Sequence, residues 1–536
     1  MRSATAHVQL TFIVQTKDRL SDGDHLCRVN SHVANYSHRR RRLDPKDARQ
    51  TDRARKCRSV RLDERETLHS RPGALSHLGQ GAGDPFNSLP VTVNPTINYV
   101  ISFNRLALTP SPVNSQFEMQ RARKWTNQYD HDTRSALQDE ILAYAHLNRL
   151  IAVVAFVTTG EPFQRLALIY KNQTMSKLQN LIRAHKVETT EPVCDLIASL
   201  YTAEIAAHNF EAAAVHGRML RYMLQPGRPV DISERLARFI LWQDVHRASM
   251  TLTPTFLDLC QYAQNYLPRI PNTPVSWGDL MPSRRNPIPC VIDGAMQCAV
   301  LRGIFKETRL YYSVSSILIE DNLPAEELLF TMSIRHGIMQ GHLVNNYVRC
   351  AANIQTFGVE RDPFSFLHCK AWATLATLLW IRFAGYYEMQ IPPRPPLSQS
   401  RRIVAVNVPE VISVSPSSRD AMYSSAPVII MALRRHLEDS KASTLAIMET
   451  PLIRARLWAI FVGAVAEQAQ EGFDGSQFGG KGNWHNLELT ELAFLMGLST
   501  WSEVRLTLEG FLYLPNVGLA AAEWFEWFAE RMTLGV

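Results

Sequence analysis

Cysteine is scarce and scattered, with eight residues at positions 27, 57, 194, 260, 290, 298, 350 and 369 of a 536-residue chain. They show no close pairs and no regular spacing, which excludes a disulfide-stapled extracellular framework and points to a reducing compartment. Long apolar runs are missing as well. The most apolar stretch, Ala371 to Tyr387, is interrupted by Arg382 and falls short of the roughly 18 apolar residues that a spanning helix needs. It reads as a buried core helix, and no membrane partner is expected. The N-terminus lacks the charged-then-apolar order of a secretory signal, so an intracellular chain is expected. Strand alternation is nearly absent too. Val8 to Val14 is β-prone but stands alone, and no fixed-period repeat runs through the chain.

Charge is present but segregated. Residues 1–83 hold 17 Lys and Arg against nine Asp and Glu, whereas residues 84–536 hold 40 against 41, so the net +7 arises entirely in the first sixth of the chain. The centre of that segment is Arg39-Arg40-Arg41-Arg42, followed by Lys46, Arg49, Arg53, Arg55, Lys56 and Arg58. So many charges with so few apolar residues cannot bury a core, and such an arm offers itself to polyanions. Ahead of the arginines, Leu26, Val29, Val33 and Tyr36 recur at helical spacing behind Ser21 and Asp24, which predicts one amphipathic helix running into the cluster.

The body reads as helices with loops. A turn-rich connector ends at Asp84-Pro85-Phe86-Asn87-Ser88-Leu89-Pro90, and the folded part is expected to begin there. From about residue 130 the periodicity is helical. One helix is predicted from Leu137 through Phe156, a second from Pro162 to His185, and an Ala-rich pair over Pro192 to His208 and Phe210 to Leu224 with Asn209 at the turn. Ile232 to Met250 follows, and further helices are predicted over about 293–318, 324–355, 363–388, 424–438, 450–471, 487–498 and 500–513. Proline-rich insertions at 267–289 and 391–418 divide these runs. The predicted architecture is an all-α multi-helix bundle or array over 84–536 behind a basic, largely disordered arm over 1–83.

Sites of chemistry are few. Gly475 to Lys481 matches the first seven places of a phosphate-binding loop, but Gly482 stands where Ser or Thr should bind Mg²⁺, and a helix rather than a strand precedes it. It reads as an interhelical loop. His336 and His342 lie six residues apart, on different faces of a helix, and no neighbour completes a ligand set. No cysteine lies in a nucleophile signature. No catalytic residue, cofactor or metal site is therefore assigned, and a non-enzymatic chain is expected. Pro392-Pro393-Arg394-Pro395-Pro396 reads as a stiff linker, or as a docking peptide for an aromatic groove.

Phe12-x-Val14, Arg28-Val29-Asn30-Ser31-His32-Val33, Arg39 to Arg42 and Asp84 to Pro90, taken in that order, resemble the amino-terminal layout of fungal transcription-factor-like proteins, a group often labelled tachykinin family. Downstream, Ile240 to Asp244, Leu457 to Glu467, Trp501 to Arg505 and Phe511-Leu512 are similar to the helical fungal-specific transcription factor domain. Many members of the wider group bind DNA through six clustered cysteines and two zinc ions. Only Cys27 and Cys57 precede the body here, so that cluster is not expected. The resemblance implies a nuclear regulatory protein without a zinc cluster. Arg39, Arg40, Arg41, Arg42, Arg55, Lys56 and Arg58 are then expected to serve nuclear import and phosphate contact, and Arg28, Ser31 and His32 to form a helix contact. The expected partners are an import receptor, DNA held weakly by the arm, and other regulatory proteins. The alternative is a cytoplasmic helical scaffold that binds partner proteins.

Overall fold

The computed structural model describes residues 89–108, 127–158, 161–183, 190–225, 231–266, 292–309, 326–357, 366–388, 426–440, 452–471, 484–514 and 521–530, with single-residue gaps at 297, 524 and 528. Of these residues 84% are helical and none forms a strand, so the all-α expectation holds for the described part. The predicted arm, its amphipathic helix and both proline-rich insertions lie outside the described residues. All the helices below belong to one unit of the chain, within Pro72–Val536.

In chain order the helices are α1 (Pro95–Leu108), α2 (127–136), α3 (Glu140–Thr158), α4 (Glu161–Arg183), α5 (Glu191–Ala206), α6 (Phe210–Met223), α7 (Glu234–Thr251), α8 (Leu259–Tyr266), α9 (299–309), α10 (Glu326–Phe357), α11 (Phe366–Glu388), α12 (Ala426–Asp439), α13 (Leu452–Glu471), α14 (Trp484–Leu495), α15 (Trp501–Leu508) and α16 (within 521–530). Their ends follow local chemistry. Asp139 accepts from the amides of Ile141 and Leu142 at 2.9 Å each, which starts α3 three residues beyond the predicted Leu137. Ser233 caps α7 through the Leu236 amide at 3.3 Å, and Thr500 with Glu503 forms a reciprocal capping box on α15.

The Ala-rich hairpin forms as expected, with a physical reason for its turn. His208 takes a left-handed φ of 54°, and Asn209 then caps α6 and donates to Glu204 Oε2 at 2.8 Å. Of Ala203, Ala206, Ala207, Ala212, Ala213 and Ala214, the alanines at the expected contact, only Ala203 and Ala213 are fully buried, while Ala207 is exposed. Gly217 of α6 instead makes room for Phe256 of the segment after α7, where any Cβ would overlap that ring.

Three apolar clusters hold the helices together. The first joins α1, α2 and α3 through Ile97, Val100, Phe103, Leu147 and Ile151. The second lies chiefly among α5 to α8, with Ala145 of α3 and Leu178 of α4, and the third chiefly among α9 to α15, with Ala248 of α7 and with Ala521 and Phe525. Helix α10 belongs to both of the last two: Ile334 and Ile338 enter the second, while Met339, Leu343, Val344 and Tyr347 enter the third. The switch is possible because Gly341 lets Leu259 approach to 2.6 Å of where a Cβ would stand.

Among the described residues, the helix long and apolar enough to cross a membrane, by length and composition, is α3 and not α11, which holds the Ala371–Tyr387 stretch. In this fold 61% of that apolar window is buried against neighbouring helices. The 371–381 part of α11 is buried throughout, as expected for a core helix.

Candidate functional site

Every residue expected to serve import, phosphate contact or helix contact, namely Arg28, Ser31, His32, Arg39 to Arg42, Arg55, Lys56 and Arg58, lies outside the described residues. So do the 475–482 glycine-rich loop, the Pro392–Pro396 run, Cys27 and Cys57. The described cysteines Cys194, Cys260, Cys298, Cys350 and Cys369 are all free thiols. Burial pushes the Cys194 thiol up to about 12 and raises Cys350 as well, which keeps both from acting as thiolates. His336 and His342 both stand on α10, and neither falls in a group of three ligand side chains among the described residues.

Buried polar groups gather at several places among the described residues, including Arg456 with Ser440 at 2.7 Å and His485 with Glu467 at 2.7 Å, and three further centres join helices of the second and third apolar clusters. In the first, Asp244 and Arg247 of α7 form an ion pair at 3.1 Å whose side chains are 2% and 4% exposed. Tyr201 donates to Asp244 Oδ1 at 3.0 Å and accepts from Arg247 Nε at 3.1 Å. Asp244 Oδ2 accepts from the Leu257 amide at 2.9 Å, and Arg247 donates to Thr253 Oγ1 and the Pro254 carbonyl, each at 2.5 Å. Arg247 also lies over the Phe256 ring, 4.1 Å from its centre. The network ties the turn after Leu252, whose φ is 48°, back onto α7 and α5. Its groups are spent on one another, so it holds structure and offers nothing to a ligand.

The second centre explains the arginine inside the apolar run. Arg382 of α11 donates to Ser249 Oγ at 3.2 Å, to Gln340 Oε1 at 3.1 Å and to His246 Nδ1 at 3.1 Å. A guanidinium only donates, so His246 Nδ1 is the acceptor. Burial lowers His246 to about 3, with Arg382 adding to the effect, and keeps the ring neutral for that role. Burial also lowers Arg382 to about 10, which leaves it charged at neutral pH.

The third centre is the one with ligand character. His368 in the first turn of α11 and His436 in the last turn of α12 face each other with their Nδ1 atoms 3.1 Å apart. Both rings are buried, at 8% and 7% exposure, whereas Asp439 at the end of α12 is exposed. One nitrogen of each ring and one carboxylate oxygen lie within 4.8 Å of one another. Tyr347 of α10 holds the far side of His436, with its hydroxyl 3.3 Å from Nε2. Desolvation lowers His368 and carries His436 to about 4, assisted in His436 by its His368 neighbour, so both imidazoles are neutral at pH 7. This is the one group of three such side chains among the described residues with the geometry to hold an ion.

Sequence reasoning missed it because its two histidines are 68 residues apart and belong to different helices. The available signal was local. His436-x-x-Asp439 places two ligand groups on one helical face at i, i+3.

An open cavity of about 210 Å³ lies at the α6–α8 junction, lined by Arg221, Gln225, Leu257, Asp258, Gln261 and Asn265. Its volume is below the range of about 300–1,000 Å³ in which small-molecule sites usually fall. No family model, curated protein or solved structure matches the chain.

Proposed function

We propose that the chain is a nuclear, transcription-regulator-like protein of fungal type, non-enzymatic and without a zinc cluster. In this reading an arginine-rich arm is carried by a helical regulatory body. The observation that carries it is the charge segregation, +8 in residues 1–83 against −1 in residues 84–536. A near-neutral helical body gives the arm's positive field nothing to cancel it, and arginine forks match phosphate geometry. The ordered motifs that resemble the fungal-specific transcription factor domain supply the family part of the reading.

Two measurements test it. A fluorescently tagged full chain in which Arg39 to Arg42 become alanine is expected to leave the nucleus, and unchanged nuclear retention defeats the import role. In a duplex titration, the wild-type chain is expected to show log K falling with log salt, by about 0.9 per phosphate neutralised. The four-alanine variant should then lose about 3 to 4 from the magnitude of that slope. A salt-independent titration removes the DNA contact from the proposal.

The second reading, a cytoplasmic scaffold, draws on the outer face of α4. That helix buries only Thr174 and Leu178, and it leaves Leu168, Ile169 and Ile182 more than half exposed. Such a face suits a partner protein. Under this reading the four-alanine variant keeps the wild-type distribution.

A further inference from the structure

We propose that His368, His436 and Asp439 bind a divalent transition-metal ion of the zinc class, with Tyr347 as the residue that orients His436. The Nδ1 atoms are 3.1 Å apart. Two imidazole nitrogens at about 2.0–2.1 Å from a tetrahedral zinc stand about 3.3–3.4 Å from each other, so a shift of a few tenths of an ångström converts the present spacing into a ligand edge. A carboxylate oxygen of Asp439 is already within 4.8 Å of one nitrogen of each ring, and a ligand set of two imidazoles and one carboxylate is typical of zinc with one open position. That fourth position belongs to water, because the exposed Asp439 marks the solvent side of the cluster.

The competing arrangement uses the same atoms without an ion: one Nδ1–H donates to the other Nδ1. It leaves Asp439 outside the pairing. Metal binding recruits all three groups and moves the ring proton of His436 to Nε2, where the Tyr347 oxygen at 3.3 Å accepts it. Arg435 of α12 opposes a cation, but its side chain is 82% exposed and its nearest approach to Asp439 is 3.9 Å, so it can swing into solvent. The C-terminal dipole of α12 favours the ion, and the N-terminal dipole of α11 offsets it.

The test uses the full chain, stripped with a chelator and titrated with zinc chloride by calorimetry and with cobalt chloride by visible absorption. The expected result is one ion per chain, with cobalt bands of a four-coordinate nitrogen and oxygen site and no thiolate charge-transfer band. Tyr347→Phe is expected to weaken binding about 10- to 100-fold, as loss of an orienting partner does. His368→Ala should lose the saturable site. Because a buried histidine variant can also unfold, Asp439→Asn decides the matter: it is exposed and nearly isosteric, and it should weaken zinc by about tenfold or more with the circular dichroism of the wild type. Three results overturn the proposal: no stoichiometric uptake, uptake unchanged in Asp439→Asn, or a charge-transfer band that places the metal on cysteine.

Discussion

Asp244→Ala is expected to cost about 3–5 kcal/mol in a urea denaturation. The residue accepts from Tyr201, Arg247 and the Leu257 amide, and its removal strips all three at once. What remains is a guanidinium at 4% exposure with no carboxylate beside it, and desolvation of an unpaired ion is the term that dominates. The double variant Asp244→Ala with Arg247→Met separates that term from ordinary packing. Removing the cation together with its partner should recover a large part of the loss, because the buried charge is gone and the methionine stem still fills space beneath Phe256. If the single variant lost less than about 1 kcal/mol, the pair would not be desolvated as its burial implies.

Trp458→Ala should cost about 3–5 kcal/mol by loss of a fully buried aromatic side chain and the cavity left behind. Trp458 is 0% exposed, stacks on Phe511 with ring centres 5.7 Å apart, and meets Phe305 edge-on at 5.2 Å. Its indole N–H donates to the Leu512 carbonyl at 2.8 Å, which binds the chain after α15 to α13. Trp458→Phe keeps most of the stacking but leaves that carbonyl unpaired, so about 1–3 kcal/mol of the total should already appear there. A calorimetric comparison of the two variants checks the division. Equal losses would assign the whole effect to the hydrogen bond, and no loss in the phenylalanine variant would assign it to packing.

The helices were legible wherever apolar spacing and local stop signals agreed. Pro192 at the start of α5, Asn209 between α5 and α6, and the Thr500 box of α15 are short-range chemistry that the sequence displays directly. Helix α1 was not legible, because Thr96, Ile97, Tyr99, Val100 and Ile101 are strand-prone and follow a proline-rich connector. It is helical because Asn94 caps the Ile97 amide at 2.9 Å and because Ile97, Val100 and Phe103 fall on one face that α3 covers. Tertiary burial overrode propensity there. Arg382 was visible only as an interruption of an apolar run, since its acceptors come from α7 and α10, 133 and 42 residues away. The third polar centre is of the same kind. Nothing local to His368 announces His436, and only the packing of α11 on α12 brings their nitrogens into range.

Helix α10 gives the body a mechanical consequence. A single rod of 32 residues seated in two apolar clusters cannot release one of them without disturbing the other. Cutting the chain in the 267–291 interval would strip Leu241 and Leu259 of the α10 backbone that covers them, and neither fragment would be an autonomous folding unit. Amide protons near Gly341 should accordingly be among the last to exchange, opening only when the whole assembly does.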